Sequence, residues 1–133
     1  MTTSEQTKLA LVTGASRGIG KAIAIELASS GLQVIGTATS DEGATRISSY
    51  LNGMEIPGIG MRVDVADDSS VESLFSDINK SFGSPTVLVN NAGITRDNLL
   101  MRMKLDEWQS VVDTNLNSMF RVTKSCLKGM TKA

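Results

Sequence analysis

Residues 13 to 20 read TGASRGIG, so three glycines fall within eight positions, directly after the apolar run Leu9-Ala10-Leu11-Val12. Glycines in such a stretch let a ligand come close to the main chain. Gly14 suits a tight turn. Gly18 and Gly20 open the start of the helix that follows, where main-chain N–H groups and the helix dipole attract a phosphate. The same spacing also serves close packing of a helix on a strand, and the loop alone does not decide between the two. It lacks the Gly-Lys-Ser/Thr ending of a nucleoside-triphosphatase loop. A second polar cluster, Asn90-Asn91-Ala92-Gly93, follows the short apolar run that ends at Val89. It reads either as a simple turn, which asparagine and glycine favour, or as the wall of a ligand crevice. Asn115 is the third candidate. Its neighbours one helical turn away, Val111, Val112 and Met119, are apolar, so an amide interrupts a face suited to burial and needs partners there. It either bonds to a bent helix backbone or takes part in chemistry. With no histidine and a single cysteine, Cys126, the chain offers no Ser-His or Cys-His pair, no internal disulfide and no zinc site.

The composition is that of one soluble globular domain: 133 residues, 41% hydrophobic, with a formal net charge of -1. Thirteen basic and 14 acidic residues are interspersed, so no field recruits nucleic acid or an anionic membrane. Met1 to Gln6 is polar and lacks the regions of a signal peptide, and no apolar stretch approaches the ~18 residues of a membrane span. A cytoplasmic protein without a metal is expected.

Alternating elements must position these residues. Short apolar runs alternate with longer segments of helical period, the pattern of βαβ units that build a parallel sheet. Strands are read at Lys8 to Thr13, Gln33 to Ala38, Ile59 to Val65 and Thr86 to Val89. Ile19, Ala22, Ile23 and Leu27 recur at helical spacing in the first helix, which Gly31 ends. Ser40 is the expected N-cap of a second helix running to about Leu51, with Asp41 and Glu42 in its first turn. Asn52 to Gly60 is a glycine-containing connection. Ser69-Ser70-Val71-Glu72 reads as a capping box for a third helix, whose core stripe is Val71, Leu74, Phe75, Ile78 and Phe82 before Gly83 and Pro85 stop it. From Leu105 a long helix carries two apolar stripes, which predicts burial on two sides. One is Trp108, Val112, Leu116, Met119, Thr123 and Met130; the other is Val111, Phe120 and Leu127. The expected fold is α/β: a Rossmann-like doubly wound parallel sheet with its first four strands in the order 3-2-1-4, in a single domain over residues 1–133. Strands one and four flank the switch point of such a sheet, so the glycine loop and Asn90 to Gly93 border one crevice.

Together, TGASRGIG and Asn90-Asn91-Ala92-Gly93 resemble the short-chain dehydrogenase/reductase family, over essentially the whole chain. Within it, GITRDNLLMRM after the second cluster, and Asp113-Thr114-Asn115-Leu116 in the long helix, resemble the 3-oxoacyl-[acyl-carrier-protein] reductases of bacterial fatty acid synthesis. The resemblance implies NADPH-dependent reduction of a 3-oxoacyl chain carried on acyl carrier protein. It implies that Gly14, Ser16, Arg17, Gly18, Ile19 and Gly20 hold the pyrophosphate of a nicotinamide dinucleotide. Asp64 with Val65 then meets the adenine, and Asn91, Ala92 and Gly93 line the adenosine side. For Asp64 a turn or cap role is the other reading, although Asp67 and Asp68 stand nearer the next helix. In the family, the asparagine at the position of Asn115 holds a water that relays protons to a catalytic lysine.

Charge bears on the choice of cofactor. An NAD site places a carboxylate at the end of strand two for the ribose 2′-hydroxyl, whereas an NADP site accommodates a 2′-phosphate of about -2 charge. Strand two ends Gly36-Thr37-Ala38-Thr39-Ser40, without an acid. Arg17 offers a planar guanidinium and Thr39 a hydroxyl, which favours NADPH, while Asp41 and Glu42 nearby work against it. The family's chemistry also needs a serine, then a tyrosine with a lysine four residues later, the tyrosine giving the proton. The one tyrosine, Tyr50, has Met54 four residues on and reads as packing in the second helix. The expectation is the N-terminal portion of a longer reductase, truncated before strand five and inactive alone, with strand four an edge lacking charge or proline. The second stripe of the long helix implies a homotetramer. A receiver-type domain needs an acidic cluster after strand one, where Gly14-Ala15-Ser16-Arg17 stands. The other readings are a short-chain dehydrogenase acting on another ketone or alcohol, and a non-catalytic dinucleotide-binding module.

Overall fold

The computed structural model describes residues 8–54, 58–92 and 103–132. Met1 to Gln6, part of the Asn52 to Gly60 connection, and GITRDNLLMR from Gly93 lie outside the described residues. Strands β1 (Leu9–Val12), β2 (Gln33–Ala38), β3 (Ile59–Arg62) and β4 (Val87–Val89) form one parallel sheet in the order β3-β2-β1-β4. Helices α1 (Gly18–Ser29), α2 (Asp41–Asn52), α3 (Asp68–Ser81) and α4 (Leu105–Lys132) complete the alternation. The strand order is the Rossmann-like one expected, with β4 at one edge and β3 at the other.

Successive strand residues point to opposite faces, so the sheet feeds two cores. On one face Leu9, Leu11 and Ile35 meet Val71, Leu74, Phe75 and Ile78 of α3 and Val122 and Cys126 of α4. On the other, Val12 and Val34 meet Ala24 and Ala28 of α1 and Ile47 and Leu51 of α2. All four residues of β1 are buried, which is why this central strand reads as an unbroken apolar run. In register, Leu11 pairs with Ile35 on one side and Leu88 on the other. Close approach of α2 to β3 depends on Gly60, where a Cβ would lie 2.0 Å from the Ala44 carbonyl oxygen.

Ser40 caps α2 as expected, its hydroxyl accepting from Gly43 N at 3.0 Å. The start of α3 differs. Its N-cap is Asp67, whose carboxylate accepts from Ser69 N at 2.9 Å, so the capping box at Ser69 is not used. Ser70 is instead drawn off to accept from Asp64 N at 2.8 Å. The third strand ends at Arg62 rather than Val65. Its partner β2 ends at Ala38, whose carbonyl takes the last bond, from Val63 N at 2.9 Å.

The largest departure is the orientation of α4. It buries Ser118, Val122 and Cys126, with Met130 packed against them, whereas Trp108, Leu116, Met119, Phe120 and Leu127 are exposed. Within the chain, Trp108, Leu116 and Met119 of the first expected stripe are therefore not the face that packs on the core. Small side chains at positions 118, 122 and 126 let the helix approach α3 and the sheet, and closeness of packing outweighs the size of the apolar residues on its other sides.

Candidate functional site

The glycine loop and the loop after β4 are stitched together by one hydroxyl. Thr13, 1% exposed at the end of β1, accepts through Oγ1 from the N–H groups of Asn91 and Ala92, both at 2.9 Å. Its own N–H donates to the Val89 carbonyl at 3.1 Å. Asn91 returns the link, its Nδ2 donating to the Gly14 carbonyl at 2.9 Å. Thr37 of β2 fixes the other flank: its Oγ1 accepts from Gly14 N at 3.3 Å and its carbonyl from Ala15 N at 2.8 Å. Finally Tyr50 Oη donates to the Ala15 carbonyl at 2.7 Å, across 35 residues.

This bracing lets the loop take conformations that only glycine adopts readily. Gly14 and Gly18 have φ of +65° and +62°. Gly20 lies beneath them, where a Cβ would stand 2.0 Å from the Gly14 carbonyl oxygen. Arg17 occupies the N-cap position of α1 in extended backbone, and its side chain makes no capping bond. The first-turn N–H groups of α1 therefore point outward without a side-chain acceptor, the arrangement that receives an anion.

Ten of the sequence-expected residues border one cleft of about 480 Å³: Gly14, Ser16, Arg17, Gly18, Ile19, Thr39, Asp64, Val65, Asn91 and Ala92. Gly20 underlies this cleft rather than lining it, and Gly93 lies outside the described residues. Asp64 borders the cleft, and its Oδ1 accepts from Ala66 N at 3.0 Å in a tight turn, the turn role that was its other reading. Asn115 lines a neighbouring pocket of about 210 Å³ with Thr13, Val65, Asn91, Ala92 and Ser118. The two pockets share Val65, Asn91 and Ala92, so Asn115 is brought to the switch-point end of the same cleft.

Several contributors escaped the sequence. Thr13, Thr37 and Tyr50 act through main-chain partners far along the chain. Arg121 of α4 does likewise, pairing with Asp68 and donating to the Val65 carbonyl at 2.7 Å, which ties α4 to the loop after β3. Desolvation by burial pushes the Tyr50 hydroxyl up to about 12 from its ordinary 10.0. Its proton therefore stays in place throughout the neutral range. Because the folded value is the raised one, the associated stability is complete below pH 10 and is lost as pH climbs towards 12. Tyr50→Phe leaves the buried Ala15 carbonyl short of a partner and should lower stability by about 1–3 kcal/mol. Urea denaturation at pH 7 checks this, and an unchanged midpoint would show that the bond does not brace the loop.

At the rim near Thr39, the two acids of the first α2 turn have basic neighbours. Glu42 pairs with Arg46 at 3.2 Å, and Asp41 stands 3.8 Å from Arg62. Arg17 makes no ion pair among the described residues and is exposed beside the cleft. Among the described residues no helix is long and apolar enough to cross a membrane.

The chain matches the short chain dehydrogenase family over residues 8–133. It is 57% identical over 130 residues to 3-oxoacyl-[acyl-carrier-protein] reductase of Pseudomonas aeruginosa, covering 98% of this chain and 53% of that protein. Against the reductase of the same name from Escherichia coli the identity is 55% over 125 residues, covering 94% of this chain and 50% of that protein. The Vibrio cholerae reductase is 57% identical over 125 residues. The chain spans about half the length of the curated relatives it matches. With the glycine loop, the Asn91-Ala92 wall and the β3-β2-β1-β4 sheet assembled around one cleft, and the family match running from residue 8 to residue 133, the chain belongs to the short-chain dehydrogenase family.

Proposed function

We propose that this chain is the dinucleotide-binding portion of a longer NADPH-dependent reductase acting on 3-oxoacyl chains carried by acyl carrier protein. The observation that carries the reading is the uncapped start of α1 in one cleft with Arg17 and Thr39, in a chain more than half identical to reductases of that name. A nicotinamide dinucleotide suits the residues present. A Cβ at Gly18 would meet nothing within 4 Å, so the main chain there is open to a ligand. The first-turn N–H groups of α1 would hold the pyrophosphate, Asp64 and Val65 would border the adenine, and Asn91, Ala92 and Gly93 the adenosine side. Arg17 and Thr39 would receive a 2′-phosphate. When bound, the cofactor supplies the hydride. Asn115 is assigned the task of holding a water in the proton path to the reacting carbonyl.

The same reading places the protein in the cytoplasm as a homotetramer. The exposed Trp108, Leu116, Phe120 and Leu127 of α4 support the assembly, which light scattering of the full-length protein checks. The cofactor assignment is tested by Arg17→Ala. NADPH affinity is expected to fall at least about tenfold and NADH affinity less than about twofold, because only NADPH carries the 2′-phosphate. Equal losses for the two cofactors would show that Arg17 does not read that group.

A further inference from the structure

We propose that Arg62, at the end of β3, is a second cation for the cofactor's 2′-phosphate and so helps to set the preference for NADPH. This rests on the NADPH reading above and adds to it a residue from a different strand. In register, Arg62 pairs with Ala38, the last residue of β2, so it stands beside the backbone that leads into Thr39. A cavity of about 540 Å³, bordered by Thr39, Arg62, Asp64, Asp67 and Ser70, adjoins the cofactor cleft. The two share Thr39 and Asp64. Thr39 is thus flanked by Arg17 on the glycine-loop side and by Arg62 on the β3 side.

Electrostatics gives Arg62 a reason to be there. A phosphate monoester at Thr39 would sit close to Asp41, Glu42 and Asp64, and a single arginine would face all three. Arg46 already attends Glu42 at 3.2 Å. Arg62 attends Asp41, but at 3.8 Å the contact is longer than a hydrogen bond, and both side chains are mostly exposed, at 63% and 86%. A pair of this kind contributes little to stability. It holds a guanidinium near Thr39 while leaving its planar donors available to a phosphate, the group whose geometry they match. The same guanidinium offsets the Asp41 charge that would otherwise repel the ligand. No counterpart is needed for NADH, which carries a 2′-hydroxyl.

The test titrates NADPH and NADH into the full chain and into Arg62→Gln and Asp41→Asn, following the reduced nicotinamide fluorescence. Arg62→Gln is expected to weaken NADPH about tenfold and NADH less than about twofold. Asp41→Asn is expected to tighten NADPH about threefold, because it removes a repelling charge and releases Arg62. Shifts of opposite sign support the proposal. Arg62 as a mere brace for α2 predicts that both variants weaken both cofactors alike, and that result would overturn it. A parent chain that binds NADH as well as NADPH contradicts the underlying NADPH reading. A parent preference that persists unchanged in Arg62→Gln removes Arg62 alone.

Discussion

Gly20→Ala is expected to lower NADPH affinity at least about a hundredfold and to cost about 1–3 kcal/mol of stability through overpacking. A methyl group at this position would stand 2.0 Å from the Gly14 carbonyl oxygen and 2.6 Å from Asn91 Nδ2. Neither atom is the end of a flexible side chain free to swing aside. The Gly14 carbonyl is main chain, and Asn91 is donating to it at 2.9 Å. Relief therefore requires the first turn of α1 to move off the glycine loop, which separates the N–H groups from the bend that aims them at a phosphate. Displacements of this size at a positioning element propagate steeply into affinity and rate. Gly53→Ala is the appropriate control. Its φ is -79° and its nearest neighbour would be 3.9 Å away, so it should melt and bind like the parent. Fluorescence titration and thermal melting of the two variants side by side give the answer, and Gly20→Ala binding within fivefold of the parent would overturn the steric account.

Turnover is the second large effect. We expect residues 1–133 to oxidise NADPH with a 3-oxoacyl thioester at least about 10²–10⁴-fold more slowly than the Pseudomonas aeruginosa reductase, the range that a positioned general acid contributes. Ketone reduction needs a proton delivered to the developing alkoxide as the hydride arrives. The chain has no histidine, and its one tyrosine is committed elsewhere. Tyr50 Oη donates to the Ala15 carbonyl, and burial pushes its pKa up to about 12, away from the value an acid needs near neutrality. Asn115 carries a neutral amide, which has no proton to give. Cofactor binding without turnover is the expected combination, and the two are separable by titrating NADPH before adding the thioester. A rate within tenfold of the relative would place the acid among the carboxylates that here serve turns and caps.

Much of the fold was legible in the residues because its signals are local. Apolar runs of four to six residues, glycines after helices and a serine before α2 each act within a few positions, and their periodicity assigns the elements. Ambiguity began where several local solutions compete. Asp67 and Ser69 are both good caps, and in the fold it is the Asp67 carboxylate that takes the position, accepting from Ser69 N. The rotation of α4 was the harder case. Large apolar side chains on several faces do not reveal which face is inward, and Val122 and Cys126 face inward because they are narrow enough for close contact with the sheet and α3.

The site divides in the same way. TGASRGIG and the Asn91-Ala92 wall announce themselves because glycine's backbone freedom acts through adjacent residues, so sequence alone was sufficient for the loop and its place at the switch point of a parallel sheet. The braces that make the loop rigid left no such trace. Thr13, Thr37 and Tyr50 bond to main-chain groups, which every residue has, and their partners lie as many as 79 positions away. The neighbourhood of Arg62 likewise exists only because β3 pairs with β2 in one register, bringing position 62 against position 38. Local chemistry determined which element each segment forms and where its glycines bend; tertiary structure alone decided which side chains hold those bends in place, because hydrogen bonds and charges act through distance in space, which chain order does not specify.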